Sequence, residues 1–432
     1  MPSRPARRLA AILAAATLVG GCTNGDASPS PTTAGSPAPS GSPTAVASPT
    51  AAPSPTAADA IEVYRAIAAQ IVEIRGLDAP DRIDPRVIDA EELRANLEAE
   101  FETSNPDAQI LLGERIYKGL GLLPADTSLK DLYLDLQGSQ VIGYYDPAVD
   151  ELYIVSRSGS LGPIERVTYA HEFTHELQDE HFDLESLGLD DAFDEGDRAL
   201  GVLGLVEGDA VSAQTTWMLE HLTAAELGQV AAEGADPEML EVLARTPAIL
   251  LETSFFPYQA GATFVSGILA QGGYDAVNAA FERLPESTEQ VLHPEKYDAG
   301  ESPVEVTLPE DVASRFGSRW SLDAQDTLGE LQLRVWLREG RVRGDVARLA
   351  AEGWGGDRVG LLGGPDGDVI VLATAWDSEA DAAEFRTAAD DAVLALGLQV
   401  ASMRAGRNVA FLIGGGLPAR LAANLLDELV AG

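Results

Sequence analysis

Cysteine is nearly missing from this chain: among its 432 residues only Cys22 carries a thiol. With no second thiol there is no internal disulfide, so an exported fold must rest on packing and, where a site needs stiffening, on a metal. Positive charge is scarce as well, 29 Lys and Arg against 69 Asp and Glu, for a formal net charge of −40. Such a surface repels phosphate backbones and anionic lipid, which excludes nucleic acid as an expected partner. Histidine is rarer still, with five in all. The one apolar run near the N-terminus is too short for a membrane-spanning helix. Apolar residues, by contrast, are plentiful at 45%. That supply supports a sizeable core in two or three domains and rules out disorder throughout.

Arg4, Arg7 and Arg8 precede an apolar run from Leu9 to Val19, the pattern of an export signal over residues 1–21. The run closes in LVGGC, which resembles the bacterial lipobox. The resemblance implies cleavage before Cys22, lipid on that cysteine, and anchorage at the extracytoplasmic face of a cell membrane. An ordinary exported protein with a spare thiol is the other reading. Residues 23–58 hold eight prolines, seven serines and six threonines, with Asp26 as the single charge. A chain of that kind buries nothing and, at about 3.1 Å per residue, reaches roughly 110 Å when extended. Residues 22–58 are therefore expected to form a tether that holds a folded body clear of the membrane.

Helical spacing of apolar side chains marks residues 59–76, 89–104 and 107–120. QVIGYYDPAVDELYIV, residues 140–155, then reads as two β-rich runs around a proline-containing turn. Long apolar helices are expected at about 197–222 and 246–271, with a shorter one near 273–283. After Glu301 the pattern is mixed. Helices near 322–338, 344–352, 378–396 and 417–430 alternate with strands at VGLLGG, DVIVLATAW, LQVASMRAG and NVAFLIGG, giving a small α+β domain over 304–432. The glycines of GWGGDRVGLLGG lack a phosphate-loop lysine and the strand-then-helix context, so they are read as structural turns.

Three of the five histidines fall in YAHEFTHELQDEHFDL, residues 169–184. On a helix His171 and His175, four apart, project from one face one turn apart, so two imidazoles can meet one zinc ion. Glu172 sits about 100° round from the first ligand, where a carboxylate reaches the metal's water as a general base without joining the coordination. Ordinary solvated histidines on a polar helix face are the alternative.

Two residues compete to be the third protein ligand. His181 stands ten residues after His171, the spacing of HExxHxxGxxH, but Gln178 occupies the glycine position of that pattern. On a continuous helix His181 points about 80° away and lies roughly 15 Å along the axis. Glu207, in LGLVEGDAVSAQ, sits in an apolar helix where a carboxylate is costly unless paired or ligating.

EGDA resembles the NEGxA motif of gluzincin metallopeptidases, in particular the M1 aminopeptidase-like group, and PYQAG at residues 257–261 resembles their PYxxG segment. The resemblance covers about residues 60–300. It implies a mostly helical zincin-like metallopeptidase domain with a small β-sheet over 59–303, a zinc site of His171, His175 and Glu207, and Tyr258 as the donor that stabilises the oxyanion. Tyr258 packed at a helix start is the plainer reading. Val206 stands where the motif has asparagine, and Val211 where the family carries an aspartate that orients a histidine. That orienting carboxylate is left to Asp209 or Asp179. His293, among loop-forming residues with Tyr297, is a cleft or electrophilic candidate, with a structural hydrogen bond as its alternative. The glycine-methionine-glutamate-asparagine signature that anchors a substrate N-terminus has no match, so an endopeptidase acting on peptide or protein substrates is expected. The rival readings are a binding lipoprotein whose zinc is structural or lost, and a non-peptidase zinc hydrolase.

Overall fold

The computed structural model describes residues 12–15, 57–80, 84–104, 107–147, 149–155, 161–189, 194–233 and 237–431. Cys22 lies outside the described residues, as do the expected export signal apart from residues 12–15 and the expected tether apart from its last two residues.

The first half carries strand β1 (Ile12–Ala15), helix α1 (Ala57–Arg75), strand β2 (Arg86–Ile88), and helices α2 (Ala90–Ser104), α3 (Asp107–Gly119) and α4 (Leu129–Gln140). The hairpin β3 (Val141–Asp146) and β4 (Glu151–Val155) leads into α5 (Pro163–Phe182) and a 3₁₀ turn at Leu184–Leu187. Helices α6 (Gly196–His221), α7 (Ala224–Glu233), α8 (Pro237–Arg245), α9 (Ala248–Glu282), α10 (Thr288–Leu292) and α11 (Pro294–Ala299) follow. The last third runs β5 (Ser321–Asp326), α12 (Gly329–Glu339), α13 (Gly344–Ala351), β6 (Trp354–Gly364), β7 (Gly367–Trp376), α14 (Glu379–Ala395), β8 (Val400–Ala405), β9 (Asn408–Ile413) and α15 (Ala419–Ala431). The class is α+β, with two small sheets ordered β1-β3-β4-β2 and β5-β6-β7-β9-β8. Among the described residues only the β2–β4 pairing is parallel. No described helix is long and apolar enough to cross a membrane.

The expected hairpin forms, and the expected break between the helices at 246–271 and 273–283 is present within α9. There Gly272 and Gly273 take φ −158° and +66°, the second a left-handed conformation that glycine adopts without a Cβ penalty. The helix expected near 322–338 is corrected: its first turns are strand β5, hydrogen-bonded along the edge of β6. Helices α4, α7 and α8 carry no counterpart in the sequence reading. The largest apolar core also crosses the boundary expected at 303/304. Ile110, Ile116 and Leu120 of the α3 region pack with Trp336, Ile370, Leu372 and Phe411 of the C-terminal sheet and its helices. Trp336 Nε1 donates to the Leu120 carbonyl at 3.0 Å, and Arg115 reaches Asp323 and Asp368 at 2.8 and 2.7 Å.

Helix α5 starts cleanly because Pro163 supplies a preset φ at the first position and the Glu165 carboxylate accepts from the Gly162 N–H at 2.8 Å. It ends at Asp183, whose left-handed φ of 52° turns the chain away. Between these ends every residue from Ile164 to Gln178 except Arg166 is buried, so HEFTH lies deep in the molecule. Tyr169 anchors this helix to α1 through Tyr64, ring centroids 4.6 Å apart. Helices α6 and α9 touch backbone to backbone. A Cβ on Gly208 would lie 2.3 Å from the Gly261 carbonyl oxygen, and one on Gly261 would lie 2.2 Å from that of Gly204. The glycines of EGDA and PYQAG are thus the surfaces by which the two helices meet.

Three carboxylates hold helix starts, and the first of them joins the C-terminal part to α6. Asp326, at the end of β5, accepts from the Gly196 N–H that opens α6 at 2.8 Å; Asp197 accepts from Thr288 N at 3.1 Å, and Asp357 from Gly329 N at 2.8 Å. Burial raises all three pKa values, Asp326 to about 7, Asp357 to about 6 and Asp197 well above the ordinary range. An acid with a raised folded-state pKa holds its proton more tightly when folded. Its contribution to stability is complete below the unfolded value near 3.9 and is lost as pH rises through about 6 to 7. The metal-free protein should therefore melt higher at about pH 5.5 than at about pH 8. Asp326→Asn keeps an acceptor for Gly196 and should raise the melting temperature at the higher pH while leaving the lower one nearly unchanged. Calorimetry at the two pH values checks both statements.

Candidate metal centre

His171 and His175 face inward from α5, one turn apart, and Glu207 meets them from α6. His171 Nε2 lies 3.1 Å from Glu207 Oε2 and 3.1 Å from His175 Nε2, and His175 Nε2 lies 3.4 Å from the same carboxylate oxygen. All three residues are buried, with exposures of 1%, 0% and 1%. Among the described residues this is the group of three that could hold a metal ion.

The outer nitrogens are held by amides. His171 Nδ1 lies 2.8 Å from Gln214 Oε1, and His175 Nδ1 lies 2.8 Å from Gln178 Oε1. The orientation of Gln178 follows from its neighbours, since its Nε2 donates to the Val206 carbonyl and to Asp209 Oδ2, each at 2.9 Å. Its oxygen is left to accept, so His175 carries a proton on Nδ1 and turns a lone pair inward from Nε2. Gln214 Nε2 points to Met218 Sδ at 3.7 Å, which directs its oxygen to His171 in the same sense. Three acceptors therefore converge, and only a proton or a cation between them relieves the arrangement.

Burial works against every charge in this cluster. It lowers His171, with the neighbouring His175 adding to the effect. Against the same burial, the carboxylates of Glu207 and Glu172 raise His175 to about 9, and the two imidazoles hold Glu207 down to about 2. Glu207 is thus ionised in an apolar interior, the state a cation would meet.

Glu172 is wholly buried, and its charge is felt at His175. Tyr258, on α9, donates from its hydroxyl to Glu207 Oε1 at 3.0 Å. The residues expected to act together, His171, Glu172, His175, Glu207 and Tyr258, are therefore neighbours. His181 is not among them. Helix α5 continues unbroken to Phe182, and the His181 ring bonds the Asp78 carbonyl at 3.0 Å near the surface. His293 sits between α10 and α11 with its Nε2 2.9 Å from the buried Glu330 carboxylate and its Nδ1 3.9 Å from Glu295; its charged partners are these two acids and not the triad. Of the two orienting carboxylates considered, Asp209 reaches a ligand only by way of Gln178. Asp179 serves elsewhere, accepting from Tyr145 OH at 2.9 Å and from Leu184 N at 3.0 Å at the end of α5. Gln178, Gln214 and Arg75 are the site residues that sequence reasoning missed. Their only signal was a polar side chain within an otherwise apolar helical face.

A family model described as a domain of unknown function, DUF8575, matches residues 318–413, the stretch from just before β5 through the end of β9. No curated protein and no solved structure matches the chain.

Proposed function

We propose that this chain is a zinc metallopeptidase of gluzincin type, tethered outside a cell by lipid on Cys22, that hydrolyses internal peptide bonds of peptides or proteins. The convergence of His171, His175 and Glu207 carries the reading. A tetrahedral zinc with donors at about 2.0–2.1 Å separates any two of them by roughly 3.3–3.4 Å. The three edges here, 3.1, 3.1 and 3.4 Å, fit that ion closely. Two imidazoles and a carboxylate also suit zinc by ligand type, and three protein ligands leave the fourth position to solvent, as a catalytic site requires.

When bound, the ion supplies Lewis acidity that lowers the pKa of water towards roughly 7. The protein's own groups do the rest. Glu172, one residue from His171 in a dry interior, takes the proton from water and returns it to the leaving amine. Tyr258 brings a hydroxyl donor to the edge of the triad, where it holds negative charge developing on the carbonyl oxygen. Strand β3 packs against α5, and its outer edge accepts Ile12–Ala15 in antiparallel register, Ile12 against Tyr145 through Ala15 against Val141. With the export signal removed, that edge supports the addition of an extended peptide as a further strand.

The test is a broad peptide-library digest with and without chelator. Cleavage that stops on chelation and returns with zinc is the expected result; zinc-loaded protein that cuts nothing would instead favour a binding lipoprotein with a structural metal. Tyr258→Phe is expected to lower turnover about 10²- to 10³-fold with zinc content unchanged. Zinc analysis beside the rate checks this, because loss of zinc first would make the tyrosine a prop for Glu207.

A further inference from the structure

We infer that Gln178, Asp209 and Arg75 form a relay that sets the ring of His175, making Arg75, on a helix that contributes no ligand, a positioning residue of the metal centre. The inference rests on the metal reading above and adds the groups that prepare the site. The relay is continuous: His175 Nδ1 to Gln178 Oε1 at 2.8 Å, Gln178 Nε2 to Asp209 Oδ2 at 2.9 Å, and Asp209 Oδ2 to Arg75 Nη2 at 2.9 Å. Gln178 Nε2 also holds the carbonyl of Val206, the residue before Glu207. One amide therefore sets both an imidazole ligand and the backbone that presents the carboxylate ligand.

The far end is built with equal care. The side chains of Arg75 and Asp209 are both 0% exposed. Arg75 is fixed further by Asn278 Oδ1 at 3.1 Å and by the Tyr274 ring, 4.5 Å from the guanidinium carbon to the centroid. A buried ion pair is a poor device for stability, since an apolar pair of similar volume is often as good or better. Its placement two bonds from a metal ligand gives it another task. The guanidinium holds the Asp209 carboxylate in place, Asp209 keeps the amide from flipping, and the amide keeps the proton of His175 on Nδ1. Groups that orient a ligating histidine in this way typically carry 10- to 100-fold in metal affinity. The relay also accounts for the missing aspartate at position 211, where Val211 stands: the carboxylate comes from Asp209, one amide further out.

Zinc dissociation constants of the full chain, measured by competition with a chromophoric chelator, test the relay, together with the visible absorption of the cobalt-loaded protein. Gln178→Met and Asp209→Asn should each weaken zinc about 10- to 100-fold and alter the cobalt spectrum. The double variant should be no weaker than Gln178→Met alone, because both act through the same amide. Asp209→Asn leaves Arg75 uncompensated and risks misfolding, so Arg75→Met with Asp209→Leu is the second arm; it removes the pair as a unit and should match Asp209→Asn in zinc affinity. Additive losses, or unchanged affinity in either arm beside normal wild-type binding, overturn the relay alone. A wild-type protein that takes up no zinc overturns the metal reading and the relay together.

Discussion

Glu172→Gln should give a folded protein that still holds one zinc ion and cleaves peptides about 10²- to 10⁴-fold more slowly. The substitution keeps the side chain's shape at a position with 0% exposure, so the packing of α5 has little to adjust to. None of the three converging donor atoms is touched. What disappears, on the proposed mechanism, is the oxygen that would take the proton from water, since an amide accepts a hydrogen bond but does not carry a proton away at neutral pH. Metal analysis and turnover on the same preparation make the test clean. A variant with full zinc and full turnover would remove Glu172 from the chemistry.

The site was readable where helix periodicity alone decides geometry. HEFTH needs only the 3.6-residue turn to bring His171 and His175 together, and Glu207 stood out because a carboxylate inside an apolar run must be paired or ligating. Gln178, Gln214 and Arg75 gave no such signal. Glutamine is unremarkable on a helix, and Arg75 at the end of α1 looks like any cation placed against a helix C-terminus. Their roles depend on contacts far along the chain, 31 positions from Gln178 to Asp209 and 43 from Gln214 to His171, with Arg75 reaching Asp209 from the end of α1. No local pattern carries that information. The same limit explains β5, whose Ser321–Asp326 sequence becomes strand because β6 offers an edge, and the core that joins α3 to the C-terminal sheet across the boundary drawn at 303/304. The boundary was drawn on a change in pattern along the chain, whereas the core follows apolar faces wherever the chain returns them.

Glu207→Gln should abolish tight zinc binding, with a loss larger than the 10- to 100-fold typical of groups one step removed from the metal. The variant keeps volume, and its amide oxygen can still accept from Tyr258, whose hydroxyl lies 3.0 Å from Glu207 Oε1 in the wild type. The close backbone approach of α6 and α9 is made at Gly204, Gly208 and Gly261, which the substitution leaves in place. The fold should therefore survive, and the loss should be confined to the ion. The physical reason is charge. Imidazole supplies no negative charge to a buried site, and Glu207, held down to about 2 by the two imidazoles despite its burial, is the charge that would offset a divalent cation there. Peptide cleavage should fall with zinc occupancy and recover only in part at high added zinc. Chelator-competition titration of the variant beside the wild type decides the matter. Undiminished affinity would hand the third ligand to another residue, and His181, ten positions after His171 and bonded here to the Asp78 carbonyl, would need the end of α5 to unwind before it could serve.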